Sequence, residues 1–215
     1  MEHFVKVYIA DTEGAVFESL LEKYASLIEP KRLLRIEGTK NDRERLKLLC
    51  TGVLLYKALH EHGISSKDIL YKENGKPYIG NRNDFFFNLS HSGDKIFLCL
   101  SDTEIGCDIQ KEVEANDSLI KRICSEEEII ENPDVSDEFN LVWAIKESFT
   151  KLSGIGISYD FKNITYERDK DLFKIFDRNA KLAYAIEIDA GVGYRAVVTC
   201  CRKIHITEIK KPALI

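Results

Sequence analysis

Apolar and polar residues alternate in Phe4-Val-Lys-Val-Tyr-Ile9, which predicts a strand over 4–9. Residues 15–28 read as a helix, with Ala15, Leu20, Leu21, Tyr24, Leu27 and Ile28 as its apolar positions. A longer helix is predicted from about Asp42 to His60, with Gly63 as its stop. Lys72-Glu-Asn-Gly-Lys-Pro-Tyr-Ile79 reads as a turn leading into a short strand. Strands are then predicted over 85–89, 95–101 and 105–110, the first two joined by a polar loop, Ser90-His91-Ser92-Gly93-Asp94.

The second half restarts the same order. Helical segments cover roughly 117–131 and 137–152, and Ser125-Glu-Glu-Glu128 is a capping box that divides the first into two shorter helices. Strands follow over 161–168, 172–177, 182–188 and 194–201, with turns at Asp169-Lys170, Asp177-Arg178-Asn179 and Gly191-Val192-Gly193. Strand blocks alternating with helical blocks predict an α+β fold. Two similar halves, 1–104 and 105–215, are each expected to pack helices on a small antiparallel sheet.

Composition narrows the setting. Of the 215 residues, 44% are hydrophobic and 31% charged, an ordinary balance for a globular protein. No apolar run approaches the roughly 20 residues that span a bilayer, and Met1-Glu2-His3-Phe4-Val5 lacks a signal peptide's basic flank and apolar core. No membrane association is expected, and a cytoplasmic location is. The six cysteines form no C-x-x-C and have no spaced histidine pair, so reduced core thiols are expected in place of a zinc site. A net charge of −5 argues against nucleic-acid binding. Within that acidic chain, Lys31, Arg32, Arg35, Lys40, Arg43, Arg45 and Lys47 form a basic island. It reads either as a solvated helix face or as a site for a small polyanion.

Three segments carry candidate chemistry. In Ile105-Gly-Cys-Asp-Ile-Gln110, strand alternation puts Gly106, Asp108 and Gln110 on one face, where a carboxylate and an amide oxygen can meet one cation. In Val142-Trp-Ala-Ile-Lys-Glu-Ser-Phe-Thr-Lys-Leu152, helical spacing buries Val142, Ile145, Phe149 and Leu152. Trp143, Lys146, Glu147, Thr150 and Lys151 then share the other side. Glu147 and Lys151 form there either an i, i+4 surface ion pair or part of a phosphate site. The third segment, Phe86-Phe-Asn-Leu-Ser-His-Ser-Gly-Asp94, offers Ser90, His91 and backbone N–H groups to an anion. A hydrolase triad of Ser90 or Ser92 with His91 and Asp108 is disfavoured, because no G-x-S-x-G elbow is present and Ser90 and His91 are sequence neighbours.

Taken together, Asn88-Leu-Ser-His-Ser-Gly93, Ile105-Gly-Cys-Asp108 and Trp143-Ala-Ile-Lys-Glu-Ser-Phe-Thr-Lys151 resemble, in order and approximate spacing, the Sfp-type 4′-phosphopantetheinyl transferases. Gly75-Lys76-Pro77 and Gly193-Tyr-Arg-Ala-Val-Val-Thr199 extend the resemblance over nearly the whole chain from about residue 30. It implies a pseudo-dimeric α+β monomer that holds coenzyme A between its halves and serves an acyl or peptidyl carrier protein. By carry-over, Asp108 and Glu147 would bind Mg²⁺ (or Mn²⁺), with Gln110 or a water completing the site. Lys151 would contact phosphate near the reacting centre, assisted by Lys146. Lys76, Ser90 and His91 would hold the adenosine end, with His91, Lys31, Arg35 and Arg43 reaching toward the 3′-phosphate.

Such a transfer demands positioning and charge neutralisation more than covalent help, with Glu147 as the base for the carrier serine. Gln110 stands where many family members have an acidic residue, so the expected metal site carries one negative charge fewer. The interval from Asp108 to Trp143 is also on the short side. A relative that binds coenzyme A or carrier proteins without turnover is the alternative reading. A different Mg²⁺-dependent phosphotransferase has no P-loop or kinase signature behind it.

Overall fold

The structure is a computed structural model that describes residues 4–131, 135–156, 159–178 and 182–214. Strand β1 (Val5–Asp11) sends Val5, Val7 and Ile9 to one face and Tyr8 and Ala10 to the other, and both sets are buried. Helix α1 (Phe17–Tyr24) follows, then α2 (Pro30–Gly38), which starts on a proline whose missing N–H costs nothing at a first helical turn. Helix α3 (Asp42–His60) is capped by the Asn41 side chain, which accepts from the Glu44 amide at 3.0 Å. Acidic residues in its first turn and basic ones in its last complement the helix dipole.

Strands β2 (Ile69–Tyr71) and β3 (Pro77–Ile79) make a small hairpin whose turn uses Gly75 at φ 83°. Strands β4 (Phe86–Ser92), β5 (Lys95–Ser101) and β6 (Ile105–Lys111) come next. Helices α4 (Asp117–Ile123), α5 (Glu126–Glu131) and α6 (Val135–Ser153) are followed by β7 (Ile164–Asp169), β8 (Leu172–Asp177), β9 (Leu182–Ile188) and β10 (Tyr194–Cys200). A last strand is β11 (Glu208–Lys210). The capping box is present with both bonds: Ser125 N–H donates to Glu128 Oε2 at 2.7 Å, and Glu128 N–H donates to Ser125 Oγ at 3.2 Å.

Two main sheets form, ordered β11-β1-β5-β4 and β6-β10-β9-β8-β7. In sequence, each sheet starts from a seven-residue strand, is followed by helices that end in a 19-residue one, and gains after them a strand antiparallel to its first, β5 beside β1 and β10 beside β6. One face of the first sheet packs on α3, and one face of the second packs on α6. The remaining faces share an apolar layer in which Val7, Ile9 and Phe97 meet Cys107, Ile109 and Val198.

Several expectations shift. Ser90, His91 and Ser92 are not loop residues: β4 runs through Ser92 and pairs with β5, Ser90 opposite Phe97. The first sheet is not purely antiparallel, because β11 lies parallel to β1. That strand returns from the second half of the sequence, and Leu214 beyond it is buried in the first core. The expected turn at Asp177-Arg178-Asn179 runs, at Asn179, outside the described residues.

Two features lock β6 in place. On one edge it pairs with β10. Along β4, Asn88, Ser90 and Ser92 point the same way and reach it with side chains. Asn88 Oδ1 accepts from the Cys107 amide at 3.1 Å, Ser90 Oγ donates to Asp108 Oδ1 at 2.7 Å, and Ser92 Oγ accepts from the Lys111 amide at 3.0 Å. On its face, Gly106 lies against α6. A Cβ there would collide with the Ser148 carbonyl oxygen and stand 2.5 Å from the Leu152 amide nitrogen. Both atoms are helix backbone and cannot turn aside. Gly106→Ala is therefore expected to lower stability by about 1–3 kcal/mol, the usual cost of overpacking, read as a fall in the urea midpoint. A midpoint equal to wild type would mean that α6 tolerates displacement from β6.

Candidate active site

Alternation along β6 buries Ile105, Cys107 and Ile109 in the central apolar layer and turns Gly106, Asp108 and Gln110 toward α6. Asp108 is only 4% exposed. Its Oδ1 accepts from Lys151 Nζ at 2.6 Å and from Ser90 Oγ at 2.7 Å, while Lys151 Nζ also donates to Ser90 Oγ at 2.8 Å. Its Oδ2 is buried and has no hydrogen-bond partner. A buried carboxylate oxygen left without a donor is costly, and a cation is one way to satisfy it.

Glu147 lies on α6 one turn before Lys151, where the Trp143 indole N–H donates to its Oε1 at 3.4 Å. Burial raises its pKa above the ordinary carboxylate value, and the negative charge of Asp108 raises it further. Burial acts to lower the Lys151 pKa, but Asp108 foremost among its neighbours reverses this and holds it above the usual lysine value. The lysine is thus kept charged between two carboxylates. Asp108, Gln110, Trp143, Glu147, Lys151, Ser90 and His91 line one cavity of about 280 Å³.

A second cavity, of about 310 Å³, shares Leu89, His91 and Lys151 with the first and extends to Arg32, Arg35, Tyr71, Gly75 and Lys76. Burial, aided by the charges of Lys47 and Lys151, lowers the His91 pKa, so its imidazole is neutral at pH 7. Lys76 donates to the Leu152 carbonyl at 2.7 Å at the C-terminal end of α6, and burial lowers its pKa. Asn74 holds the same end through the Gly154 carbonyl at 2.6 Å. Lys31 does not line this cavity; its Nζ lies 3.8 Å from the centre of the ring of Tyr71, which does.

Three sequence-selected residues sit differently from their expected places. Lys146 does not face the cleft. Its ammonium is fully buried and donates to Glu128 Oε2 at 2.6 Å, Ile123 O at 3.0 Å and Phe161 O at 3.1 Å. The polar side read from helical spacing is wrong for it because α6 is covered on that side too, by α4 and the 161–163 turn. Arg43 is exposed and bound to Asp94 at 2.7 Å. Ser90 is taken up by Asp108 and Lys151.

Arg32 belongs to the basic island, but sequence reasoning did not single it out as a site residue. It is 5% exposed, held by Glu29 at 2.6 Å, and lines the second cavity. Gly52 of α3 makes room for it: a Cβ at that position would come within 2.8 Å of Arg32 Cδ. A glycine in the interior of a long predicted helix was the available signal. Glu112, which would lie on the Asp108 face if the strand continued, is bound instead by Arg195 at 3.0 Å. Among the described residues no group of three or more His, Cys, Asp or Glu is arranged to hold a metal, so Asp108 and Glu147 stand as a pair.

Comparison with known proteins points the same way. Residues 104–200 match the model of the 4′-phosphopantetheinyl transferase superfamily. The chain is similar to 4′-phosphopantetheinyl transferase psf-1 of Bacillus pumilus, 32% identical over 133 residues that cover 58% of this chain and 57% of that one. It is also similar to 4′-phosphopantetheinyl transferase Sfp of Bacillus subtilis, 25% identical over 175 residues that cover 78% of each. A third relative, 4′-phosphopantetheinyl transferase gsp of Aneurinibacillus migulanus, is 29% identical over 64% of this chain and 60% of its own length. The match thus spans less than two thirds of psf-1 and gsp.

The enclosure of Lys146 has a measurable consequence. Lys146→Ala takes the cation from Glu128, whose Oε2 keeps only the Ser125 amide and whose Oε1 is already unsatisfied. The expected loss is about 3–5 kcal/mol in chemical denaturation, as for other broken buried ion pairs. Replacing both partners, Lys146→Met with Glu128→Leu, should recover part of it, because the Ser125 amide and the Ile123 and Phe161 carbonyls still lose their partners. A single variant as stable as wild type would contradict the buried placement.

Proposed function

We propose that this chain is a member of the 4′-phosphopantetheinyl transferase superfamily, whose model matches residues 104–200, and that it moves the 4′-phosphopantetheine arm of coenzyme A onto a serine of an apo acyl or peptidyl carrier protein, releasing 3′,5′-ADP. The observation that carries the reading is the unpartnered Asp108 Oδ2 beside Glu147 and Lys151. We infer as well that the two halves are a pseudo-dimer with the donor held between them, which their shared order of strand, helices, long helix and closing strand supports. A cytoplasmic, monomeric enzyme fits this role, and no helix among the described residues is long and apolar enough to cross a membrane.

The residues fit Mg²⁺. A buried carboxylate oxygen lacks a donor, a second carboxylate has its proton affinity raised by the first, and the Gln110 amide lines the same cavity. Two carboxylates and an amide are few ligands, which suits an ion that completes its shell with phosphate oxygens and water. Asp108 and Glu147 would hold it, with Gln110 as a neutral third, and Mn²⁺ could replace it. Bound there, the ion would neutralise pyrophosphate charge and make the phosphorus a better electrophile.

The chain's own groups do the rest. Lys151, kept protonated by Asp108, sets a fixed positive charge where the transferred phosphate gains negative charge. Glu147, a stronger base than an exposed glutamate, takes the proton of the attacking serine. Arg32, Arg35 and neutral His91, with Lys76 at the wall and Lys31 beside Tyr71, offer donors to the nucleotide phosphates in the second cavity. Ser90 orients Asp108. Arg43 would reach a 3′-phosphate only by leaving Asp94. The neutral Gln110 is what favours the binding-only relative as the second reading.

Intact-mass measurement of an apo carrier protein incubated with this chain, coenzyme A and Mg²⁺ should show addition of one phosphopantetheine arm. Glu147→Ala and a metal-free sample should show none. Unmodified acyl and peptidyl carriers with wild type would overturn the transferase reading in favour of the binding relative.

Metal affinity should also report Glu147 directly. A carboxylate with a raised pKa keeps its proton to higher pH, so protons compete with the ion sooner than at an ordinary glutamate. Mg²⁺ affinity by calorimetry is expected to fall as pH is lowered, starting above the usual glutamate range, and the fall should shift or vanish in Glu147→Gln. Affinity that is flat with pH would remove Glu147 from the metal site.

A further inference from the structure

Behind two wall residues of the nucleotide cavity lies a carboxylate with no part in the proposed chemistry. Glu29 is 1% exposed. Its Oε1 accepts from Arg32 Nε at 2.6 Å and from the Tyr71 hydroxyl at 3.2 Å, and both partners line the cavity. Its Oε2 is buried and has no hydrogen-bond partner. Glu29 also occupies the N-cap position of α2, where an acidic side chain can serve the open amides of the first turn. It makes no capping bond there, because the carboxylate is turned to Arg32 and Tyr71 instead.

Stability explains such a pair poorly. Burying two charges costs desolvation, and an apolar pair of like volume holds a core as well or better. What the carboxylate gives is geometry. Arg35, Lys76 and Lys151 line the same cavity, and their like charges would push an unanchored Arg32 away. Glu29 binds Arg32 through Nε alone, and among the described residues the guanidinium has no other hydrogen bond. Both terminal Nη groups therefore remain as a free fork, which can meet two phosphate oxygens at once. Through Tyr71 the same carboxylate reaches the β2–β3 hairpin, whose turn residues Asn74, Gly75 and Lys76 also line the cavity. One buried group thus joins α2 to the hairpin behind the space they enclose.

We infer that Glu29 is a positioning residue for donor binding, whose buried carboxylate holds Arg32 by Nε so that its Nη fork meets the nucleotide phosphates. The role rests on the transferase reading, and Glu29 touches no substrate itself. It acts on the donor complex and not on the transfer, because Asp108 and Glu147 lie in the neighbouring cavity. Glu29 therefore governs affinity for coenzyme A, and the rate at saturation is set elsewhere.

Steady-state kinetics and calorimetry with Mg²⁺ present test this. Glu29→Leu nearly keeps the volume but offers no acceptor. It should weaken coenzyme A and 3′,5′-ADP by about tenfold, the loss of one charge-assisted bond, and raise KM for coenzyme A while kcat stays near wild type. An unchanged kcat also shows that the variant is folded. Glu29→Gln, which still presents an acceptor to Nε, should restore most of the affinity. If Glu29→Leu does not fold, adding Arg32→Met removes both buried charges, and the double variant should bind coenzyme A no more weakly than Arg32→Met alone. Glu29→Leu with wild-type affinity would overturn the inference. So would a double variant weaker than Arg32→Met, which would give Glu29 an action apart from Arg32. A lowered kcat with unchanged KM would move Glu29 to the transfer step and overturn it too. Wild type that bound neither coenzyme A nor 3′,5′-ADP would remove the transferase reading itself, and this role with it.

Discussion

The site depends on how closely a helix can lie on a strand. Asp108 belongs to β6 and Glu147 and Lys151 to α6, and the three meet only if the two backbones approach within the reach of short side chains. Gly106, two residues before Asp108 on the same face, permits that approach, because any side chain there would occupy the space of α6's own backbone. The contact also fixes orientation. With Ser148 and Leu152 over Gly106, the helix has no freedom to rotate Glu147 away from Asp108, and the bond between Ser148 Oγ and Thr199 Oγ1 at 2.5 Å pins the helix to β10 as well.

Around that contact the protein assembles charges that would repel or be expelled if left alone. Burial and then the charge of Asp108 raise the proton affinity of Glu147, and Lys151 offsets part of the repulsion. Ser90 completes the arrangement from the other sheet, so the electrostatics of the site and the junction between the halves are one network. The side-chain ladder from β4 to β6 places a residue of the first half against the principal carboxylate of the second. Such preorganisation would lower the reorganisation needed on binding the phosphate proposed for this site.

Much of this was legible in the chain. Period-two alternation in 105–110 put Gly106, Asp108 and Gln110 on the helix side, and β8, β9 and α3 fall where the apolar pattern put them. What was not legible depended on tertiary partners. Ser90, His91 and Ser92 read as a loop because three polar residues preceded a glycine, yet the Ser90 and Ser92 hydroxyls bond β6 across the junction and His91 lines two cavities. Lys146 read as a cleft lysine because helical spacing gives faces but not what covers them. Helix α2 and strands β2 and β11 are short, and β11 is held by pairing with β1 from the opposite part of the sequence. Arg32 was hidden inside a run of basic residues that charge counting treats alike.

The return of β11 to β1 has a meaning for how the molecule is made. During synthesis the first half emerges early, with all of its own helices and three strands of its sheet, yet the outer edge of β1 has no partner until residues 208–210 appear. Lys57 likewise waits for the carbonyls of Ala213 and Leu214. An open, apolar strand edge on a nascent chain invites pairing with other chains. Strand β11 closes that edge from within the same chain, so the first sheet is shielded from its neighbours only once the second half has been made.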